Sequence, residues 1–468
     1  MRQRTDRVGG VGAGSAGAGS AGAGSVGSAD AGERTTRGRS STVGGGAIGA
    51  LKHRNFVLFW CGQIVSLIGT WMQTVAQGYL VYHLTSSATL LGLVTTLGTL
   101  PVLFLTLFGG VLADRAPKRR VLVATQSSAA LLALILGVLV ATGAVQVWHV
   151  LALATALGVV NAIDVPTRQS FVVELVGRDD LFNAIALNSS VFNLARIVGP
   201  AVAGLLIVRT GLAAPFLINA ASYVAVIAGL LAMRIPPFVA AKNPEPALQR
   251  LAAGLTYART DLTVSTVLLV LGSVGILAFN YPALMPAFAA EELHQGAGGL
   301  SLLYSALGVG AIAGALTLAF AGDRLPRARL FWIGAVLFCL MQILFSLTRT
   351  LPLAMAALVV MGLCMILFLA DANTLVQSFV PDALRGRVMG VYTLVFLGST
   401  PFGAFAAGLV AGRLRSVPVS LAGGSVLALG AIAAIWLCRP AAHALDGTNP
   451  RPLDDVIALT APEASVAR

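Results

Sequence analysis

The sequence predicts an all-α membrane protein with twelve transmembrane helices in two six-helix repeats. Three observations carry that expectation. Of the 468 residues, 57% are hydrophobic and only 11% charged, whereas a soluble domain carries about 25% charged residues, and the mean hydropathy is +0.85. Apolar stretches recur from residue 55 to residue 438, each near the ~20 residues a helix needs to cross a hydrocarbon core of ~30 Å. Finally, LADRAPKRRVL, with Asp114, returns as AGDRLPRARLF, with Asp323, and QSFV stands at both 169 and 377. Matching loops in two halves are the trace that a transporter built from repeated halves leaves in its sequence.

The elements follow in chain order. Residues 1–50 carry the repeat GAGSAGAGSAGAGSV, too poor in apolar groups to offset chain entropy, and are expected to form a disordered cytoplasmic tail. No apolar stretch there resembles the core of a cleavable signal, so the first span is expected to direct insertion. Spans at 56–82, 88–112, 120–142, 147–166, 183–207 and 212–233 make an N-terminal half, 51–234. Residues 235–261 combine prolines and mixed charges with the run Leu248, Leu251, Leu255 and Tyr257, which suits a cytoplasmic linker with an amphipathic helix on the membrane surface. Spans at 263–288, 299–320, 330–348, 352–376, 387–411 and 418–437 make the second half, 262–438, and 439–468 form a cytoplasmic tail. Pro101, Pro166, Pro200, Pro282, Pro286 and Pro401 lie inside or at the ends of spans, where each permits a bend.

The net charge of +12 suits a nucleic-acid binder only if the bases gather on one face beside aromatic stacking partners. They sit instead in short loops. Those after even-numbered spans hold Arg115, Lys118, Arg119, Arg120, Arg168, Arg178, Arg234, Arg324, Arg327, Arg385 and Arg387, among others; those after odd-numbered spans hold Arg209, Arg349, Arg413 and Arg415. The positive-inside rule then puts both termini in the cytoplasm of a multi-pass plasma-membrane protein. Cys61, Cys339, Cys364 and Cys438 show neither zinc nor disulfide spacing. The five histidines form no H-E-x-x-H, and no G-x-x-x-x-G-K phosphate loop is present. An enzyme, a metal and a cofactor are therefore not expected, and an ion gradient is the remaining source of energy, or there is none.

The loop signature G-x-x-x-D-R-x-G-R-R is matched by Gly110, Asp114, Arg115, Lys118 and Arg119, with Pro117 at the second glycine; the second copy keeps Asp323, Arg324 and Arg327, with Ala319 at the first glycine. On these residues the chain from about 52 to 438 resembles the major facilitator superfamily. Residues 165–207, with Asn188, Ser189, Asn193, Arg196, Gly199, Pro200 and Gly204, resemble the superfamily branch that includes enterobactin exporters. GPAVAG is also similar to the Gly-Pro signature of proton-linked antiporters, although Ala195 replaces an upstream glycine. The fourth-helix arginine of many drug and proton antiporters is replaced by Ala154, four residues before Gly158, so any proton coupling must use other groups. The resemblance implies secondary active export of a small amphipathic molecule, such as a drug, siderophore or secondary metabolite, by alternating access and in exchange for protons. The alternatives are a passive or lipid-moving pore-like carrier and a nutrient importer. The implied partners are a small-molecule substrate, the lipid bilayer and protons, with no nucleic acid; a monomer is expected.

In this frame Gly110 is expected to let a neighbouring helix approach closely, and Asp114 to face the positive N-terminal end of the helix near Arg387. Arg115 and Lys118 would bridge to acids such as Glu174 or Asp382, latching the cytoplasmic side. Arg196 lies about 21 Å into the fifth span at 1.5 Å per residue, and an intramembrane arginine costs ~2.5–3.5 kcal/mol unless it meets a partner or a watered cavity. Asp164 and Asp371 are each either proton carriers or packing partners of an arginine. Asn161, Asn193 and Asn280 join Arg196 and the two acids as candidate substrate or proton residues, with Trp71, Tyr79, Phe279, Tyr281 and Phe396 as candidate cavity wall.

Overall fold

The computed structural model describes residues 49–177, 179–235, 247–321 and 326–439. The expected tails and the middle of the linker, 236–246, lie outside the described residues, apart from the segment at 49–50 and Arg439. Every regular element among the described residues is helical. The first six spans are α1 (Arg54–Thr85), α2 (Ala88–Arg115), α3 (Lys118–Ala141), α4 (Val147–Val176), α5 (Leu181–Thr210) and α6 (Ala214–Ala232). A short α7 (Ala247–Thr260) follows. Then come α8 (Leu262–Leu277), α9 (Tyr281–Glu291), α10 (Ala297–Ala321), α11 (Arg327–Leu347), α12 (Leu351–Phe379), α13 (Asp382–Leu414) and α14 (Val417–Cys438). With α8 and α9 counted as one span, twelve segments are long and apolar enough to cross a membrane. Helices suit that solvent because each bonds its own backbone groups, which hydrocarbon cannot do.

The spans end where the sequence supplies caps and turns. Ser87, Asp261 and Ser416 accept hydrogen bonds from the backbone N–H groups of Leu90, Val264 and Val419, starting α2, α8 and α14. Gly143 and Gly177 stop the chain after α3 and α4 with φ of 69° and 71°. Several helices run further than hydropathy suggests: α4 continues to Val176, α12 to Phe379, and α13 begins at Asp382. Hydropathy stops at the first charge, but a helix continues wherever its charges find partners, so Arg168 lies on α4 instead of in a loop.

The expected seventh span is two helices. Pro282 lacks the N–H group that would bond the carbonyl of Ala278, so the ladder fails at 278–280, and Pro286 removes the bond to the Pro282 carbonyl inside α9. The Tyr304 hydroxyl donates to the Pro282 carbonyl at 2.7 Å, supplying the donor that Pro286 lacks.

The two sets of six spans repeat one packing pattern. In the first, α2 packs on α4 and α6 on α1 and α3; in the second, α10 packs on α12 and α14 on α8 and α11. The main seams between the sets are α2 with α13 and α5 with α10. Both seams are tight at the end opposite the Asp114–Lys118 loop. There a Cβ on Gly92 would stand 2.4 Å from the Ala404 carbonyl oxygen, and Thr89 and Thr96 donate to the carbonyls of Gly408 and Pro401 at 3.2 and 3.0 Å. A Cβ on Gly204 would likewise fall 2.4 Å from Ser301 Oγ, and Ser305 donates to the Ile197 carbonyl at 3.3 Å.

The linker helix buries a different stripe from the expected leucine run. Gly254, Tyr257 and Ala258 are buried with Leu251 beside them, whereas Leu248 and Leu255 are exposed. The cause is backbone contact with α13: a Cβ on Gly254 would lie 2.4 Å from the Arg387 carbonyl oxygen, and the Tyr257 hydroxyl reaches the Phe379 carbonyl at 3.1 Å.

Gly110 does not make the close approach expected of it, since no atom lies within 4 Å of its Cβ position. Its neighbour Gly109 does. A Cβ there would stand 2.1 Å from the Ala162 carbonyl oxygen, the same carbonyl that Pro166, four residues on, leaves without an intrahelical donor. Substituting each glycine by alanine should therefore give opposite signs. Gly110→Ala should gain up to about 1 kcal/mol from helix propensity, while Gly109→Ala should lose about 1–3 kcal/mol from overpacking against backbone; thermal unfolding in detergent reads both.

Candidate functional site

Toward the basic loops α2 and α13 part, and a cavity of about 650 Å3 opens between them. Val102, Leu103, Thr106, Gly110, Asp114 and Arg115 form one wall. Ala383, Gly386, Arg387, Gly390, Thr393 and Leu397 form the other, with Gln169 of α4 and Leu251 of α7 at the margin. The expected latch partners thus occupy opposite walls of an open cleft, with Asp114 across from the first turns of α13.

Lys118 and Arg119 of the signature work inside the first six spans, not between the two sets, while Arg115 lines the cleft. Lys118 pairs with Glu174, because the extension of α4 to Val176 carries that acid alongside the start of α3. Arg119 donates to the carbonyls of Leu231 and Met233 at 2.7 and 3.3 Å, binding α3 to the end of α6. Asp382 pairs within α13 with Arg385 at 2.6 Å. Asp323 and Arg324 lie outside the described residues.

Asp164 is buried at 1% exposure and fully engaged. It accepts from Thr125 at 2.7 Å and Gln126 at 2.8 Å and pairs with Arg168, which also donates to Gln63 at 3.0 Å. One acid thereby ties α1, α3 and α4 together. Asp371 is buried at 0% exposure and pairs with Arg327 on the neighbouring α11 at 3.1 Å. Its second oxygen, Oδ2, has no hydrogen-bond partner among the described residues. Arg327, from the second copy of the signature, therefore reaches into the bundle instead of serving only as a loop charge.

Arg196 meets neither acid. It sits midway along α5 with Nε and Nη2 enclosed and without a hydrogen-bond partner among the described residues, within electrostatic reach of Tyr281. The rest of the fifth-helix motif packs helices: Gly199 stands where a Cβ would be 2.6 Å from Trp71 Cβ of α1, and Gly204 abuts α10. Pro200 removes the N–H that would bond the Arg196 carbonyl. Asn193 donates to the Ser189 carbonyl of its own helix at 2.9 Å, and Asn161 is half-buried on α4. Asn280, buried in the break of the seventh span, donates to the Leu277 carbonyl at 3.0 Å.

Among the aromatic candidates, Phe279 stacks on Phe338 with centroids 5.2 Å apart and lies 5.9 Å from both Tyr281 and Phe396. Trp71 instead packs against Phe192 at 5.6 Å. Sequence reasoning missed the contacts at the far end, where the Tyr82 hydroxyl donates to Glu291 at 2.9 Å and Arg349 pairs with Glu292 at 2.6 Å. The adjacent acids that close the seventh span were the available signal.

Two six-span repeats around a cavity that opens at one end define a transporter of the major facilitator superfamily. Within it, residues 45–459 match the transmembrane secretion effector family, and the chain belongs to that family. It is 26% identical to the staphyloferrin A transporter of Staphylococcus aureus over 74% of this chain and 87% of that protein. It is also 26% identical to the multidrug efflux pump Tap of Mycolicibacterium fortuitum over 79% and 92%, and 25% identical to the enterobactin exporter EntS of Citrobacter koseri over 81% and 90%. Among solved structures, an inward-facing, unoccupied bacterial homologue of the human lysosomal transporter Spinster superposes with a TM-score of 0.68 at 14% identity, covering 85% of this chain and 99% of that one. A D-xylose–proton symporter gives 0.63 at 14% identity, covering 85% and 98%.

The Asp164 network predicts a large loss on deleting its arginine. Arg168→Ala leaves a buried carboxylate with two neutral donors and should cost about 3–5 kcal/mol, seen as a lowered melting temperature and less folded protein in the membrane.

Proposed function

We propose that the protein exports a small amphipathic molecule across the plasma membrane by alternating access, in exchange for protons. The observation that carries this reading is the asymmetry of the α2–α13 seam, closed at one end and parted at the end bearing the basic loops. By the positive-inside rule that end is cytoplasmic, so the cleft faces the compartment from which an exporter loads. Three of the relatives that the chain resembles are named for siderophore transport, siderophore export or drug efflux. In this reading the halves 51–234 and 262–438 rock about the seams, the 235–261 linker and both tails stay cytoplasmic, and one chain suffices because both seams form within it.

Closure at the cytoplasmic side would bring Asp114 to the N-terminal turn of α13, where a carboxylate gains roughly 0.3–2 kcal/mol depending on burial. Gly110, Gly386 and Gly390, none with a neighbour within 4 Å of its Cβ position, leave room for that approach. Of the two buried acids, Asp371 suits proton carriage better. Asp164 has its donors supplied by three side chains, whereas Asp371 holds one arginine and an oxygen without a partner among the described residues. Protonating Asp371 would dissolve its pair with Arg327 and so loosen α11 from α12.

Topology is tested by labelling. A cysteine placed at Gly296 should react with an impermeant maleimide from outside the cell and one at Gln249 should not; reversed reactivity would put the cleft on the wrong side for loading.

Coupling is tested in everted vesicles carrying candidate dyes and metabolites. An acid-inside gradient should drive uptake, a protonophore should abolish it, and Asp371→Asn should cut gradient-driven uptake at least about tenfold while leaving the fold intact. Uptake that ignores the gradient and survives the substitution would make the protein a passive carrier.

A further inference from the structure

The guanidinium of Arg196 poses a problem that the rest of the bundle does not solve. It stands at the middle of α5, a helix that Gly199 and Gly204 hold closely against α1 and α10. The acids within the spans are already committed: Asp164 to Arg168 and Asp371 to Arg327. At the far end Glu291 accepts from Tyr82, and Glu292 pairs with Arg349. The nearby Tyr281 hydroxyl points to Met365 Sδ at 3.4 Å.

The two nitrogens without a partner among the described residues are Nε and Nη2. They are the adjacent pair on one edge of the guanidinium whose N–H bonds run parallel, the edge that meets both oxygens of a carboxylate at once. Tyr281 lies within electrostatic reach of it. Tyr281 packs with Phe279 and Phe338, and Phe279 with Phe396, whose chain neighbour Leu397 lines the cleft. A half-buried cation with two enclosed, unpartnered nitrogens on one edge and an aromatic neighbour in electrostatic reach suits a negative oxygen pair carried on an apolar body.

We infer that Arg196 binds the carboxylate or equivalent oxyanion of the transported molecule, and that the substrates are amphipathic organic anions with an aromatic or aliphatic body in the Phe279, Tyr281 and Phe396 region. This inference rests on the export reading for its biological sense, but its chemistry is separately testable. It also explains why an unpaired cation persists in the bundle: the substrate supplies the counter-charge, and the ligand-free site is held at a cost in stability.

The test uses the full chain in lipid nanodiscs with three probes of one shape: naphthoate, naphthamide and naphthylmethylammonium. The parent protein should bind naphthoate at least about tenfold more tightly than naphthamide, and the ammonium least. Arg196→Gln should erase the preference, and Arg196→Lys should keep part of it, since the charge remains and the fork is lost. The melting temperature separates binding from structure. Arg196→Gln should raise it in ligand-free protein by removing an unpaired buried charge, and naphthoate should raise it in the parent but not in the variant. A lower melting temperature in Arg196→Gln, or an undiminished anion preference there, would overturn the assignment and make the arginine structural. Everted vesicles keep the two readings apart. Driven uptake of a cationic dye that Arg196→Gln leaves unchanged would refute the anion site while sustaining export. Charge-selective binding with no uptake of any probe would sustain the anion site and refute export.

Discussion

Helices in hydrocarbon have no hydrophobic reason to touch one another, so every contact in this bundle depends on how closely two backbones can come. Small residues decide where that happens. Gly92 against Ala404 and Gly204 against Ser301 weld the two repeats at one end, and hydroxyls of Thr89, Thr96 and Ser305 add hydrogen bonds to carbonyls across the same seams. At the other end Gly110 of α2 and Gly386 and Gly390 of α13 meet nothing, and these two helices part. One packing rule thus yields both the joint and the cleft.

Charge is handled by a second rule, that a charged group deep in a membrane protein pairs, reaches water or faces a functional cavity. Asp164 is the first case: its pairing with Arg168 and two neutral donors holds three helices of one repeat. Lys118 and Glu174 do similar work at the basic end of α3 and α4. The repeated loop signature is therefore two things at once, bases that organise their own repeat and an acid, Asp114, left on the wall of the cleft. Arg196 has two enclosed nitrogens without a partner among the described residues, which leaves it to the third condition.

The proline pattern connects the two rules. Each proline frees a carbonyl four residues earlier, and the bundle uses those carbonyls: Gly109 packs against that of Ala162, and Tyr304 donates to that of Pro282. The break in the seventh span falls just before Pro282 and sets Phe279 and Asn280, with Tyr281 beside them, at its corner.

The sequence by itself determined the class of fold, the number of spans, the repeat and the loop signature, because hydropathy and basic loops are additive along a chain and need no knowledge of neighbours. It marked Asp164, Arg196 and Asp371 as too deep to be loop charges for the same reason. Only the tertiary structure decided their roles, since a partner is a matter of helix rotation and register: Arg168 turned from loop base to the mate of Asp164, Arg327 from topology signal to the mate of Asp371, and Arg196 was left with a free fork. It also moved the close approach from Gly110 to Gly109, one residue apart in sequence but about 100° apart around a helix. That rotation is set by the surface of the facing helix, which no local pattern encodes.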